Sequence, residues 1–288
     1  MLKIVWLTDS KKDERGAALL LGGFDGLHLG HRQLLLRAKK SGFPVGVMTI
    51  FGGKGDGVFT RAERELIFQQ AGADFVFELS FEKIKALSPE EFLEALEEKF
   101  QPSLLVCGED FRYGARAQGT AETLKAGGQV RVEALPLLEL DGKKVSSRAI
   151  KEYLALGEIP RANAFLGERF FLLGEVIKDR QVGRTMGFPT ANILYPQDKF
   201  PLKKGVYETR VSVGGAAYKG ITNYGARPTF ENDRVLTETY LDGFDGDLYG
   251  KTLKVEFVRY LRDIQKFENA DALKEQLQTD IRRVRHGD

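Results

Sequence analysis

The segment from Gly22 to His31 most constrains how this chain can fold, because it places glycines and two of the three histidines between an apolar run and a helical pattern. The apolar run, 17–21, predicts a buried strand, and 32–39 predicts a helix. An open α/β sheet binds phosphate at such a junction, because the helix N-terminus offers unpaired N–H groups and a partial positive charge. Glycines let the backbone approach a ligand closely. The alternative is a glycine-rich turn with two incidental histidines.

Length and composition narrow the class of protein. A chain of 288 residues can form two domains, and a net charge of +2 gives no reason to expect a nucleic acid or a membrane as partner. The single cysteine, Cys107, ends an apolar run and is expected in the core, and one cysteine fits a reducing compartment. The sequence shows no signal peptide and no stretch of membrane-spanning length, so we expect a cytoplasmic protein. It predicts no oligomeric state.

The two halves of the chain differ in their pattern. The first half alternates short apolar runs with helical patterns such as 61–71, and Ser-Pro-Glu-Glu at 88–91 predicts a helix start with a capping box. This alternation predicts a parallel sheet covered by helices. The second half alternates with period two, as in 207–213, which predicts an antiparallel sandwich or barrel. The expected domains are 1–157 and 158–288. The pattern after residue 270 predicts a last helix, whose apolar face consists of Leu273, Leu277, Ile281 and Val284.

Three blocks of the first half carry a resemblance to a known family. They are the Gly-x-Phe-Asp-Gly-x-His-x-Gly-His pattern that ends at His31, the segment 108–114 after a predicted strand, and the segment 145–151. Together they resemble the bacterial bifunctional riboflavin kinase/FMN adenylyltransferase family, also called FAD synthetases. The resemblance implies a Rossmann-like nucleotidyltransferase domain that adenylates FMN with ATP, giving FAD and pyrophosphate. Positioning and electrostatic stabilisation would supply the rate, without a covalent intermediate.

The same resemblance implies which residues of this domain act. His28 and His31 would be catalytic, holding the triphosphate and stabilising the charge that builds on the attacked phosphorus. In the third block, hydroxyl and N–H groups would bind phosphate, and a cation one turn later would neutralise it. The expected ATP-binding residues are Gly22, Phe24, Asp25, Gly26, His28, His31, Ser146, Ser147, Arg148 and Lys151. The residues expected to bind flavin or nucleotide are Gly108, Asp110 and Arg112.

The first half also departs from the family pattern. Arg148 stands where threonine is usual and Lys151 where arginine is usual, so we expect altered ATP affinity but not a lost site. Taken alone, this block is equally compatible with an ordinary Ser-capped helix. The segment 49–53 lacks the acidic residue and prolines usual in the family. The glycine-rich segment 52–57 lacks the ending of a P-loop and predicts a mobile loop.

The second half carries two more blocks of this family. Pro-Thr-Ala-Asn occupies 189–192, and Asn-x-Gly-x-Arg-Pro-Thr-Phe occupies 223–230. The resemblance implies a riboflavin kinase barrel with a C-terminal helix, which makes FMN from riboflavin and MgATP. The expected ATP-binding residues are Gly183, Gly187, Pro189, Thr190 and Asn192, and the expected flavin-binding residues are Asn223 and Arg227. Thr190 and Asn192 offer oxygen ligands that suit Mg²⁺.

Glu238 is, by the same resemblance, the catalytic base that orients the 5′-hydroxyl of riboflavin and accepts its proton. The alternative is a solvated strand residue, because its neighbours in sequence form the opposite face. Tyr240 stands where the family usually has histidine. Further along, Arg262 and Lys266 lie in a family-like pattern, where they could approach the substrate or be surface charges.

Three other interpretations stay open on the sequence alone. Arg148 and Lys151 suggest a monofunctional kinase whose first domain has decayed. A second interpretation is an adenylyltransferase for another acceptor, with the barrel as a binding module. A third is a flavin-binding sensor without catalysis, which a Glu238→Gln substitution would distinguish from a kinase.

Overall fold

The computed structural model describes the chain in six segments. These are residues 3–6, 16–52, 55–127, 130–178, 188–226 and 235–287. Gly183, Gly187 and Arg227 lie outside the described residues, so the expectations for these three site residues stay predictions. The centre of the glycine-rich segment 52–57 lies outside them too. Among the residues described, no helix combines the length and the apolar character needed to cross a membrane.

The chain divides into two compact units, Met1–Ser147 and Arg148–Asp288. The boundary between the units follows Ser147, whereas the sequence pattern predicts a domain boundary after residue 157. The described strands of the first unit are β1 (Lys3–Trp6), β2 (Ala18–Leu20), β3 (Val45–Phe51), β4 (Phe75–Ser80), β5 (Leu104–Gly108), β6 (Arg112–Tyr113), β7 (Gly119–Thr120), β8 (Arg131–Leu135), β9 (Glu139–Leu140) and β10 (Lys143–Lys144). Its described helices are α1 (Leu29–Lys39), α2 (Arg61–Ala71), α3 (Phe81–Ile84), α4 (Pro89–Phe100) and α5 (Ala121–Ala126), with a 3-10 turn at Ala115–Ala117.

Six strands of the first unit form a parallel sheet in the order β1-β4-β3-β2-β5-β8. Strands β2, β3 and β5 consist mostly of buried apolar residues, as expected for a sheet that helices cover. From β2 the chain builds outward through β3 and β4, and it later returns to β5 on the other side of β2. The carboxyl ends of β2 and β5 therefore form the switch point at which open α/β sheets bind ligands. The parallel α/β architecture predicted for the first half is confirmed.

The second unit is an antiparallel barrel followed by a helix. Its described strands are β11 (Phe171–Glu175), β12 (Thr190–Leu194), β13 (Gly205–Val213), β14 (Ala216–Ala226), β15 (Val235–Leu241) and β16 (Thr252–Arg262), and its helices are α6 (Ser147–Leu156), α7 (Ile159–Leu166) and α8 (Ala270–His286). The strands pair in the order β11-β16-β13-β14-β15-β12. Just beyond β11, the N–H of Ile177 donates to the carbonyl oxygen of Asn192 on β12 (2.8 Å). This contact nearly closes the barrel, and the predicted barrel with a C-terminal helix is confirmed.

Helix α8 lies against the outside of the barrel through its apolar face. Ile281 and Val284 form one buried cluster with Val206 on β13 and Ile221 on β14. The period of apolar residues places Ile281 and Val284 on this face, and their burial agrees with that prediction.

Candidate functional sites

The first unit has a cavity of about 460 Å³ at its switch point. The turn after β2, the start of α1, the segment after β5 and the residues around the end of β10 line it. The expected site residues in this lining are Gly22, His28, His31, Gly108, Asp110, Arg112 and Ser146. A cavity of this size accommodates a small-molecule ligand. The fold thus brings parts of all three sequence blocks to one place.

His28 and His31 are held by backbone hydrogen bonds at the start of α1. The Nδ1 atom of His28 accepts a hydrogen bond from the backbone N–H of His31 (3.2 Å), so His28 is the N-cap of the helix. The Nδ1 atom of His31 is 2.8 Å from the carbonyl oxygen of Gly26. The two rings stack with 3.5 Å between their centroids and 15° between their planes. The two side chains therefore form one stacked and hydrogen-bonded pair.

Both histidines are neutral at physiological pH. Burial, followed by the nearby His31, lowers the pKa of His28 to about 2, and Lys144 contributes in the same direction. Burial also lowers the pKa of His31 to about 4, although the hydrogen bond to Gly26 and the charge of Asp110 oppose this effect. The resting site therefore offers neutral imidazoles and the N–H groups of a helix start to an anion.

Phe24, Asp25 and Gly26 shape the turn that carries the histidines. The buried ring of Phe24 lies 4.3 Å from the ring of His31, centroid to centroid. Asp25 accepts a hydrogen bond from the backbone N–H of Val58 (3.0 Å), which joins the turn to the segment before α2. Gly26 has a φ of +146°, and a Cβ there would lie 2.9 Å from the ring of Phe59, so only glycine fits. These three residues were expected to bind ATP, but none of them belongs to the described lining of the cavity.

The third block divides at the start of α6. Ser146 lines the cavity, and Ser147 is the first residue of the helix. Arg148 is exposed, and it and Lys151 belong to the second unit. The ammonium group of Lys151 lies 5.7 Å from the centroid of the Phe200 ring, also in the second unit.

Lys144 is a residue of the site that sequence reasoning missed. It lines the cavity and forms an ion pair with Asp110, which is also in the lining. It therefore places a positive charge near the histidine pair, as its effect on the pKa of His28 shows. The sequence feature that could have identified Lys144 is its position directly before Val145, where the third block begins.

In the second unit, three expected site residues form a row across neighbouring strands. Glu238 on β15 lies opposite Asn192 on β12 and also opposite Asn223 on β14. Directly opposed residues project on the same face of a sheet with their Cβ atoms about 5 Å apart. The side-chain oxygens of Asn192 and Asn223 are buried and have no hydrogen-bond partner among the described residues. Buried polar atoms without a partner are exceptional and often bind a water, an ion or a ligand, so the row is a candidate binding site.

A second cavity, of about 360 Å³, lies at one end of this row. Pro189, Thr190 and Asn192 line it together with Asp245 and Asp247. The two carboxylates come from the loop after β15 and were not predicted as site residues. Glu238 and Asn223 are not among the described residues of its lining. The described residues of this unit that are expected to bind ATP and metal therefore line the cavity. The expected catalytic base, Glu238, and the expected flavin-binding residue, Asn223, lie on the strands beside it.

The donor set around Asn192 is compatible with a hard divalent cation. The amide oxygen of Asn192 is buried and without a partner among the described residues, and Thr190 adds a hydroxyl to the same cavity. Mg²⁺ is commonly held by a few protein oxygens together with substrate phosphates and waters. No group of three His, Cys, Asp or Glu side chains suited to a metal occurs within the described ranges. A cation here would therefore depend on nucleotide oxygens for much of its coordination.

Comparison with known proteins gives two family matches in the expected order. The family model described as FAD synthetase matches residues 10–149, and the one described as riboflavin kinase matches residues 166–287. A bifunctional riboflavin kinase/FMN adenylyltransferase of Haemophilus influenzae is 33% identical over an aligned length of 286, and the match covers 93% of this chain and 92% of that protein. The protein of that name from Pseudomonas fluorescens is 32% identical over an aligned length of 297, and the match covers 97% of this chain and 95% of that protein.

A solved structure is similar over the same length. A crystal structure described as a macrolide-efflux protein from Streptococcus pneumoniae matches with a TM-score of 0.89 and 26% identity, and the match covers 99% of each chain. That description concerns the Streptococcus pneumoniae protein, and the similarity bears on the fold.

Proposed function

This chain belongs to the bifunctional riboflavin kinase/FMN adenylyltransferase family, and from this premise we propose that it converts riboflavin to FAD in two ATP-dependent steps. Residues 158–288 phosphorylate riboflavin to FMN, and residues 1–157 adenylate FMN to FAD and release pyrophosphate. The observation that carries the proposal is that each matched segment has its own site. The first has the stacked histidines at a helix start, and the second has the row of Asn192, Glu238 and Asn223.

In the kinase step, the carboxylate of Glu238 accepts the proton of the riboflavin 5′-hydroxyl as that oxygen attacks the γ-phosphorus of ATP, and ADP leaves. Asn223, opposite Glu238, orients the flavin, and we assign Arg227 to the same task. Gly183, Gly187, Pro189, Thr190 and Asn192 bind ATP. Thr190 and Asn192 hold Mg²⁺, which when bound neutralises charge on the phosphate oxygens.

In the adenylyltransferase step, a phosphate oxygen of FMN attacks the α-phosphorus of ATP, and pyrophosphate leaves. His28, His31 and the first N–H groups of α1 bind the phosphates and stabilise the charge of the transition state. Arg112 supplies a cation for the phosphate of FMN, and Gly108 lets that ligand approach the end of β5. Ser146 and Lys144, which also line the cavity, contact the triphosphate as well. The single cysteine of the chain supports a reducing compartment, the cytoplasm, as the place of both reactions.

The test is a time course of products from the purified protein with riboflavin and excess MgATP, separated by chromatography. FMN is expected first, followed by its conversion to FAD. Glu238→Gln is expected to slow FMN formation by about 10²–10⁴-fold. It leaves the conversion of added FMN to FAD intact.

The reciprocal variant replaces both His28 and His31 with alanine. It is expected to abolish FAD formation and to spare FMN formation, because the two activities belong to different units. If either variant reduced both activities equally, the assignment of the activities to the two segments would be wrong. Retention of flavin binding without any product would support the sensor interpretation instead.

A further inference from the structure

Backbone contacts determine which ring nitrogen of each histidine carries its proton. Since Nδ1 of His28 accepts from a backbone N–H (3.2 Å), it carries no proton, and a neutral His28 has its proton on Nε2. Nδ1 of His31 faces the carbonyl oxygen of Gly26 (2.8 Å), which can only accept, so this nitrogen is protonated. A neutral His31 therefore has a bare Nε2. The two imidazoles leave opposite groups for a ligand, a donor on His28 and an acceptor on His31.

An acceptor cannot bind a phosphate oxygen, which is itself an acceptor. For His31 to contact the triphosphate through Nε2, that nitrogen must take up a proton, and the contact then becomes a charge-assisted hydrogen bond. Protonating Nε2 of His31 leaves its bond to Gly26 intact. Protonating His28 would instead occupy Nδ1 and break the N-cap bond of α1. Only His31 can become charged without losing a contact.

The geometry of the pair allows one positive charge but not two. Two imidazolium rings at a centroid distance of 3.5 Å would repel each other strongly. The ring of Phe24, 4.3 Å from His31 on centroids, is a suitable neighbour for a single cation.

The charged groups that line the cavity come from three segments around α1. They are Asp110 and Arg112 after β5, Lys144 on β10 and Lys85 after α3. The charge of Asp110 favours a charged His31, whereas burial opposes one. A bound triphosphate adds several negative charges, which favour the charged form further.

We propose that the triphosphate is bound by a histidine pair that carries one added proton, placed on Nε2 of His31, while His28 stays neutral and donates from its own Nε2. The proton comes from solvent when ATP binds and returns to solvent after pyrophosphate leaves. Phe24 is then a positioning residue, which acts on the nucleotide through His31. The proposal rests on the adenylyltransferase function assigned above to the first unit.

The chain is suited to a direct test because it has only three histidines. The third, His286, is exposed in the last turn of α8, so His286→Gln leaves the stacked pair as the only histidines. The full-length variant is labelled with ¹⁵N-histidine, and the ring nitrogens are observed by NMR near neutral pH. The ligand is α,β-methylene-ATP, which cannot transfer its adenylyl group. Binding of this ligand to the kinase unit produces no direct signal from a histidine there.

The expected result is that Nε2 of His31 changes from an unprotonated to a protonated nitrogen when the ligand binds, while Nδ1 of His28 stays unprotonated. A ligand that shifts the signals of the pair but leaves His31 neutral, or that protonates His28, would overturn the proton assignment alone. If saturating ligand leaves both histidines unchanged, the triphosphate does not bind here. The proposed function of the first unit then fails together with this inference.

Kinetics give an independent readout. Between the pKa of free His31, about 4, and its higher pKa in the nucleotide complex, the KM for ATP in FAD formation is expected to rise about tenfold per pH unit, because binding takes up one proton. His31→Gln, which offers a permanently neutral donor, should raise KM at low pH and flatten this dependence. The KM for ATP in FMN formation by the same variant is the internal control and should not change. A wild-type KM for FAD formation that is independent of pH would contradict the inference.

Discussion

Arg262 binds the carboxylate of Asp280 through three hydrogen bonds: Nε to Oδ1 (3.2 Å), Nε to Oδ2 (3.0 Å) and Nη2 to Oδ2 (2.8 Å). Asp280, on α8, is completely buried, and Gln276 adds a further bond to Oδ1 (2.9 Å). Arg262 ends β16 and lies opposite Val206 on β13, so the pair fixes the helix to the barrel. The sequence pattern is compatible with Arg262 as a substrate contact or as a surface charge. Its ion pair with the buried Asp280 shows that it has a structural role.

Arg262→Met should destabilise the second unit by about 3–5 kcal/mol, because it leaves the buried charge of Asp280 without its partner. The free energy of unfolding can be measured by urea denaturation followed by circular dichroism. The matched control is Arg161→Met, which removes an exposed pair with Glu158 and should cost about 0–1 kcal/mol. Equal and small effects of the two substitutions would mean that the pair does not anchor α8.

Cys107 should be inert to thiol reagents in the folded protein. It is completely buried at the end of β5, and burial raises the pKa of its thiol to about 11. Only the thiolate reacts, so about one molecule in a thousand would be reactive near pH 8 even with free access. Mass spectrometry after treatment with iodoacetamide should find one adduct in urea and none in the native protein. Rapid labelling of the native protein would contradict the core position of this residue.

Asn192→Leu should weaken the use of Mg²⁺ in FMN formation. The substitution keeps the approximate size of the side chain but removes the buried amide oxygen that has no partner among the described residues. We expect the concentration of Mg²⁺ that gives half-maximal FMN formation to rise by about 10–100-fold. FAD formation from added FMN, measured in the same sample, is the control because it uses the first unit. An unchanged requirement for Mg²⁺ would remove Asn192 from the proposed metal site.

Much of the fold could be predicted because its signals are local. The helix predicted at 61–71 is α2 with the same bounds, and Ser88 and Glu91 form the expected capping box before α4. Such patterns depend only on residues within one or two turns of each other. Alternation of apolar runs and helices then gives the parallel sheet.

The site was less accessible to sequence reasoning because its contacts are not local. The row of Asn192, Glu238 and Asn223 depends on the register of three strands that are far apart in sequence. The pairing of Lys144 with Asp110 likewise joins two segments that are 34 residues apart in sequence. The histidine motif identified both imidazoles, yet their stacking and hydrogen bonds depend on the conformation of the turn.

The last prediction concerns the effect of acid on the second unit, where Arg285 near the end of α8 binds Asp242 after β15 with two bonds of 2.7 Å. These bonds hold the pKa of Asp242 below its ordinary value. A depressed carboxyl pKa stabilises the fold above the unfolded value, about 3.9, and that contribution disappears as pH falls through the folded pKa.

Because Arg285 is largely exposed, Asp242→Asn should cost only about 0.2–1 kcal/mol at neutral pH. In urea denaturation series the difference from the parent should shrink as pH falls and vanish once Asp242 is protonated in the folded protein. Asp56→Asn, on the exposed surface of the first unit, is the matched control for the loss of a surface carboxylate. A cost for Asp242→Asn that persists in acid would mean that the side chain acts through packing and not through its charge.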